Sequence, residues 1–146
     1  MKPRLFIIDT NVLVAGLIST AKTAPTVEIL DAMLKGSILY VVSPALLQEY
    51  RTVLLRPKLC ALHGLPESDV DQILAEITAN SIWQEPALSH QAPDPGDNHL
   101  WSLLLHGVNT ILVTGDLLLL DNAPKDKLVI TPRTCLEMLK PVGVAQ

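Results

Sequence analysis

The sequence predicts an α/β fold in which a mostly parallel sheet is covered by helices. Short apolar runs rich in β-branched residues alternate along the chain with longer stretches of helical period, a pattern typical of buried parallel strands and the helices that connect them. The chain has 146 residues, of which 49% are hydrophobic and 18% charged. This composition excludes a disordered chain, and the length predicts a single domain over residues 1–146.

The first half of the chain contains two predicted strands and two predicted helices. Residues 5–8 form an apolar run that ends at Asp9, which suits a strand buried on both faces. Residues 24–35 place their apolar side chains on one helical face and stop at Gly36. A second strand is predicted over 38–42, and Ser43-Pro44 then begins a helix that runs to about Leu55, before Arg56-Pro57.

The second half of the chain predicts two convincing strands, one short strand and three helices. In order, the elements are a helix from 65–68 to about 79, a short strand at 82–84, a loop at 88–96, a helix at 97–106, strands at 111–113 and 128–130, and a helix from 131 to about 140. In total, four to five strands are expected in the sheet. Ligand sites in such sheets lie beyond the carboxyl ends of the strands.

Acidic residues follow two of these strands. Asp9 ends the first strand, and Asp116 comes shortly after the strand at 111–113. Glu49 lies about 40° outside the apolar arc of its helix, so its carboxylate can reach a cleft from the rim of a buried face. Asp97 lies in the first turn of the helix that leads to the strand before Asp116. These four side chains are therefore expected to converge on one edge of the sheet.

Each of these acids also has an ordinary structural interpretation. Asp9 and Asp116 could be turn residues, and Glu49 could be a solvated helix carboxylate. Asp94 fits a helix N-cap, which makes Asp97 part of a favourable acidic first turn. Coincidence, however, does not readily explain why all four acids are predicted to lie at one edge of the sheet. His99 follows Asp97 by two residues, is predicted to point about 160° away from it, and is interpreted as structural or exposed.

Five segments in order resemble the PIN (PilT N-terminus) domain family. They are IIDTNVLVAGL at 7–17, SPALLQEYRTVLLRPK at 43–58, DPGDNHLWSLLLHGV at 94–108, ILVTGDLLLL at 111–120 and ITPRTCLEML at 130–139. The resemblance covers nearly the whole chain, and each motif alone is weak whereas the ordered set is strong. It is closest to the branch described as toxin components of toxin-antitoxin systems, similar to the virulence-associated protein C ribonucleases.

The resemblance implies a three-layer α/β/α fold and a metal-dependent ribonuclease that hydrolyses RNA phosphodiester bonds. The family's acidic residues correspond to Asp9, Glu49, Asp97 and Asp116, and its small polar and hydroxyl positions correspond to Asn11 and Thr114. Hard oxygen ligands without a His or Cys set favour one or two Mg²⁺ or Mn²⁺ ions. Asp9 and Asp116 are expected to be primary metal ligands, Asp97 a ligand directly or through water, and Glu49 a ligand or the group that orients the attacking water. Asn11 and Thr114 are expected to support the site by holding carboxylates or substrate through hydrogen bonds.

The sequence departs from the family pattern at two places. Many relatives have Asp-x-Asp-Asp where this chain has Asp94-Pro95-Gly96-Asp97, and many have a further Asp where this chain has Leu118. The second departure removes a potential auxiliary ligand. It leaves open the alternative of a nuclease-inactive PIN-like module that binds RNA or protein. A haloacid-dehalogenase-type phosphatase fits less well, since Asn11 occupies the position of its second Asp.

Composition limits the partners and the setting. The net charge of −4 and the aromatic content of 3% argue against a broad cationic or base-stacking RNA surface. Basic residues near the end of the second helix, Arg51, Arg56 and Lys58, could contact phosphates or form a solvated face. Cys60 and Cys135 suggest neither a zinc site nor a disulfide, and no signal peptide or membrane span is recognised. A cytoplasmic protein is expected, with an RNA substrate, a homodimeric state and an antitoxin partner.

Overall fold

A parallel sheet forms the centre of the molecule. The computed structural model describes residues 3–87 and 91–140. The strands are β1 (Leu5–Ile8), β2 (Val41–Val42), β3 (Ile82–Trp83), β4 (Thr110–Val113) and β5 (Leu128–Ile130). Parallel pairing joins β1 to β4, β4 to β5 and β2 to β3, and a single parallel bridge from Phe6 to Tyr40 links the two groups. The spatial order is therefore β3-β2-β1-β4-β5, which confirms the α/β fold with a mostly parallel sheet.

Helices connect these strands. They are α1 (Thr10–Ile18), α2 (Pro25–Lys35), α3 (Pro44–Leu54), α4 (Pro57–His63), α5 (Glu67–Ala79), α6 (Asn98–His106), α7 (Leu117–Leu120) and α8 (Pro132–Leu139), and a 3₁₀ turn at Pro95–Asp97 directly precedes α6. Helix α6 packs on β1 and β4, while α1, α2 and α8 pack in series. The architecture agrees with a three-layer α/β/α arrangement. Among the described helices, none has the length and apolarity that crossing a membrane requires.

Three helices of the structure, α1, α4 and the single turn α7, match none of the helix ranges predicted from the sequence. Helix α1 has buried side chains on most of its surface, so it lacks the amphipathic period by which a helix is recognised. Helix α4 begins at Pro57, where the preceding helix was expected to give way to a loop, because proline is well suited to the first position of a new helix. Strand β2 is shorter than predicted. Residues 88–90 of the predicted loop lie outside the described residues.

Two tight contacts hold the elements that surround the end of β1. A Cβ atom added at Gly16 in α1 would lie 2.6 Å from the carbonyl oxygen of Thr26 in α2, so the absence of a side chain lets these helices approach closely. The buried Tyr50 hydroxyl of α3 donates a hydrogen bond of 2.5 Å to the carbonyl oxygen of Ile8. Because Ile8 precedes Asp9 and Tyr50 follows Glu49, this bond fixes the helix that carries Glu49 beside the strand that carries Asp9.

Candidate active site

Asp9 lies at the carboxyl end of β1, directly beside the end of β4. Its Oδ1 atom accepts a hydrogen bond of 2.7 Å from the backbone N–H of Thr10 and so caps α1. Its Oδ2 atom accepts bonds from the Thr114 hydroxyl at 2.7 Å and from the Asn11 amide at 3.0 Å. Only 4% of Asp9 is exposed. Burial therefore raises the pKa of Asp9, although the hydrogen bonds from Thr114 and Thr10 partly oppose it and the charge of Glu49 adds to it.

Asn11 and Thr114 connect the ends of the two strands. The Asn11 side chain accepts a 3.0 Å hydrogen bond from the backbone N–H of Gly115. The Thr114 hydroxyl oxygen accepts a 3.0 Å bond from the backbone N–H of Asp116. Asp116 in turn caps α7, since its Oδ1 atom accepts a 2.9 Å bond from the N–H of Leu118. Asn11 and Thr114, the two supporting residues of the sequence prediction, thus fix the Asp9 carboxylate relative to the backbone that follows β4.

Glu49 is held by hydrogen-bonding groups from two other helices. Its Oε1 atom accepts a 2.8 Å bond from the Thr10 hydroxyl in α1, and its Oε2 atom lies 2.6 Å from Nε2 of His99 in α6. The hydrogen bond from His99 lowers the pKa of Glu49, against the opposing effect of burial, and Thr10 contributes in the same direction. Glu49 is therefore kept as a carboxylate at the wall of the site.

The contact between His99 and Glu49 was not predicted from the sequence. The prediction assumed 100° of helical rotation per residue between Asp97 and His99. In the structure Asp97 belongs to a 3₁₀ turn, and α6 begins only at Asn98, so this rotation does not apply across the junction. The Pro95-Gly96 pair was the available signal of an irregular first turn. His99 contacts Glu49 but is not among the residues that line the acidic cleft, so its interpretation as a structural residue stands.

Asp97 has the most strongly perturbed acidity of the cluster. Burial, together with the negative charges of Asp9, Asp94, Glu49 and Asp116, raises its pKa to about 6. Asp94 takes the capping role expected for it, because its Oδ1 atom accepts a 2.9 Å hydrogen bond from the N–H of Gly96. The side chain of Asp97 makes no such capping bond. Its carboxylate is thus repelled by the neighbouring carboxylates, and no capping hydrogen bond offsets this repulsion.

The four predicted carboxylates line one cleft of about 610 Å³. The other lining residues are Thr10, Asn11, Val14, Ala15, Ile18, Val53, Arg56 and Gly96. Arg56 is the single Lys or Arg side chain among these described lining residues. Arg51, by contrast, is engaged by Glu67 at 2.9 Å and Asp71 at 2.8 Å on the surface. The cleft is therefore acidic at its base and carries one cation at its wall.

The donor set of the cleft suits a hard divalent cation. Its carboxylate, hydroxyl and amide oxygens are the ligand types that Mg²⁺ and Mn²⁺ prefer. Within residues 3–87 and 91–140, no group of three or more His, Cys, Asp or Glu side chains is arranged so that it could hold a metal ion. Mg²⁺ usually keeps several waters and binds through one or two carboxylates. The residues fit such a hydrated ion by chemistry, and a fully protein-ligated site is not preformed.

The fold and the cleft define a parallel α/β protein whose acidic cleft lies beyond the carboxyl edge of its sheet, where proteins of this class bind their ligands. Comparison with protein families specifies this class further. The family model described as PIN domain matches residues 6–118, and the chain belongs to the PIN domain family. PIN domains are generally nucleases and usually use divalent metal ions. No curated protein matches the chain in sequence.

Proposed function

We propose that this protein is a Mg²⁺- or Mn²⁺-dependent endoribonuclease that acts as the toxin of a toxin-antitoxin pair. The observation that supports the proposal most directly is the convergence of four carboxylates from separate elements on one cleft. Those carboxylates repel one another, as the raised pKa of Asp97 indicates. A site of this kind gains stability when it binds cations, and the family provides the nuclease context.

The four carboxylates divide into two proposed roles. Asp9, Asp97 and Asp116 would hold the ion directly or through water, and Glu49 would ligate it or orient the attacking water. A bound divalent ion supplies positive charge to a phosphodiester and lowers the pKa of water for in-line attack. Asn11 and Thr114 keep Asp9 in place through the hydrogen bonds that both donate to Oδ2. Both are therefore proposed to support the site without contacting the reacting atoms.

Arg56 is proposed to contact the RNA backbone. It lines the cleft beside the carboxylates, and its charge lowers the pKa of Glu49 slightly. A guanidinium can donate two parallel hydrogen bonds to a phosphate. The apolar wall formed by Val14, Ile18 and Val53 would lie against the sugar or base of a nucleotide. A single-stranded RNA segment offers both surfaces, a phosphate and an accessible base.

The homodimer and the antitoxin partner belong to the same proposal. Leu117 and Leu118 follow Asp116 directly and are 72% and 47% exposed. Ile82 and Trp83, on the outer strand β3, are 37% and 43% exposed. Exposed apolar groups at a sheet edge or beside an active cleft indicate surfaces that a partner covers. Sedimentation of the purified protein as a dimer at micromolar concentration would support the homodimer, and sedimentation as a monomer would contradict it.

The direct test is cleavage of a panel of structured and single-stranded RNAs with Mg²⁺ or Mn²⁺ and with EDTA. We expect wild-type protein to cut in the presence of metal only, and Asp116→Asn to be folded and inactive. Asp69→Asn is the matched control, because Asp69 is an exposed acid on α5 outside the cleft, and it should retain full activity. Absence of cleavage under every condition would support the alternative, a nuclease-inactive module that binds RNA or protein.

A further inference from the structure

Three helices meet at a single carboxylate, that of Glu49. It projects from α3 and accepts one hydrogen bond from Thr10 in α1 and one from His99 in α6. The His99 side chain is only 13% exposed, and that of Glu49 is 29% exposed. Because an ionised carboxylate has no hydrogen to donate, the hydrogen of the His99 contact must lie on Nε2. Both donors thus act on the same group, one on each oxygen.

We propose that His99 is a positioning residue for the nuclease reaction, which fixes the carboxylate of Glu49 at the cleft wall. The inference rests on the proposed function and deepens it. A glutamate has three rotatable side-chain bonds, and a carboxylate bonded on one oxygen can still rotate about that contact. Hydrogen bonds to both oxygens prevent this rotation and fix the orientation of the carboxylate. Each oxygen retains a second acceptor position, which is available to water or a hydrated cation in the cleft.

The polar interactions described for the His99 ring are confined to Glu49. Nδ1 of His99 is buried and has no hydrogen-bond partner in the described part of the chain. Burying a polar atom without a partner is unfavourable, so an imidazole that only filled space at this position would cost more than an apolar side chain. The contact with Glu49 is the one polar interaction described for the ring. The bond to Glu49 is therefore the interaction that favours a histidine over an apolar side chain at this position.

The positioning role can be tested with substitutions of His99 whose amide nitrogen occupies the place of one ring nitrogen or the other. In His99→Gln the amide nitrogen can occupy the position of Nε2, and in His99→Asn it corresponds to Nδ1 and does not reach Glu49. His99→Leu removes both. The measurements are kcat and KM on an RNA that the wild type cleaves, the Kd for Mn²⁺ by titration calorimetry without RNA, and the Tm without metal. Residues that orient metal ligands typically change metal affinity or activity by about 10–100-fold when replaced.

We expect His99→Asn and His99→Leu to lose roughly 10–100-fold in kcat or in Mn²⁺ affinity, with little change in the KM for RNA. His99→Gln should recover most of this loss at a Tm similar to that of His99→Asn. If Gln and Asn are equally impaired, or if Asn matches the wild type, the positioning role is refuted while the proposed nuclease stands. If wild-type protein neither cleaves RNA nor binds Mn²⁺, the proposed function fails and the inference fails with it.

Discussion

Replacing Asp97 with Asn should stabilise the metal-free protein at neutral pH. The pKa of Asp97 is raised from 3.8 to about 6 by burial and by the charges of Asp9, Asp94, Glu49 and Asp116. A carboxyl group with a raised folded-state pKa binds its proton more tightly in the folded protein than in the unfolded chain. Its ionisation therefore costs no stability below pH 3.8. The cost grows between pH 3.8 and about 6 and is complete above that range.

The magnitude follows from the size of the pKa change. A difference of about two pKa units corresponds to ~3 kcal/mol for a group shielded from water. Asp97 is only partly buried, and solvent screening reduces the expected value to about 1–1.5 kcal/mol. In a domain of this size that free energy corresponds to a rise in Tm of about 3–5 °C. Asn preserves the shape of the side chain, and Asp97 makes no capping hydrogen bond that would be lost.

The assay is thermal unfolding of wild type and Asp97→Asn in EDTA from pH 3.5 to 7.5. We expect the two Tm values to coincide near pH 3.5 and to separate as the pH rises to about 6, with the variant higher. Mn²⁺ at pH 7 should raise the Tm of the wild type more than that of the variant. A Tm difference that does not depend on pH, or a variant less stable than the wild type at pH 7, would refute electrostatic repulsion as the cause.

Four further predictions concern the walls of the cleft and the packing beneath it. Arg56→Gln should raise the KM for RNA several-fold with little change in kcat, and it should reduce the slope of RNA binding against salt concentration by about one. Lys58→Gln changes an exposed residue outside the cleft and serves as the control, which should show neither effect in the same measurements. Tyr50→Phe leaves the last carbonyl of β1 without its donor and should lower the free energy of unfolding in urea by about 1–3 kcal/mol. Gly16→Ala places a Cβ atom against the Thr26 carbonyl and should cost about 1–3 kcal/mol in the same assay; wild-type stability would contradict the close helix contact. RNA binding, followed by fluorescence anisotropy before cleavage proceeds, should be weaker in EDTA than in Mn²⁺, and equal affinities would contradict charge compensation by metal.

The strands and the four acids could be predicted because local sequence determines them. An apolar run followed by an aspartate marks the buried strand β1 and its carboxyl end, and Ser43-Pro44 marks the start of α3, where Ser43 does accept the capping hydrogen bond. Parallel pairing then brings the ends of β1 and β4 together. Convergence of Asp9 and Asp116 on one cleft follows from topology without any knowledge of side-chain contacts.

The contacts among the acids could not be predicted in the same way. The contact of His99 with Glu49 joins α6 to α3, and it depends on how these two helices pack. Arg51 and Arg56 look equivalent in the sequence, yet the first is held by acids of α5 and the second lines the cleft. Both distinctions arise from how separate elements pack against each other, and no period along a single helix contains that information.

The acidic composition of the chain is compatible with RNA as substrate once the charges are located. Of the 15 acidic residues, the four in the cleft leave eleven, which equal the 11 Lys and Arg residues in number. The formal charge of −4 is therefore matched by a cluster of four carboxylates, and the rest of the chain is neutral in sum. A phosphate approaching that cluster meets repulsion that Arg56 alone cannot offset, whereas one or two divalent ions can. If the protein is the nuclease proposed here, the same negative charge opposes RNA in the metal-free protein and should make RNA binding conditional on metal, which would couple the two ligands through one site.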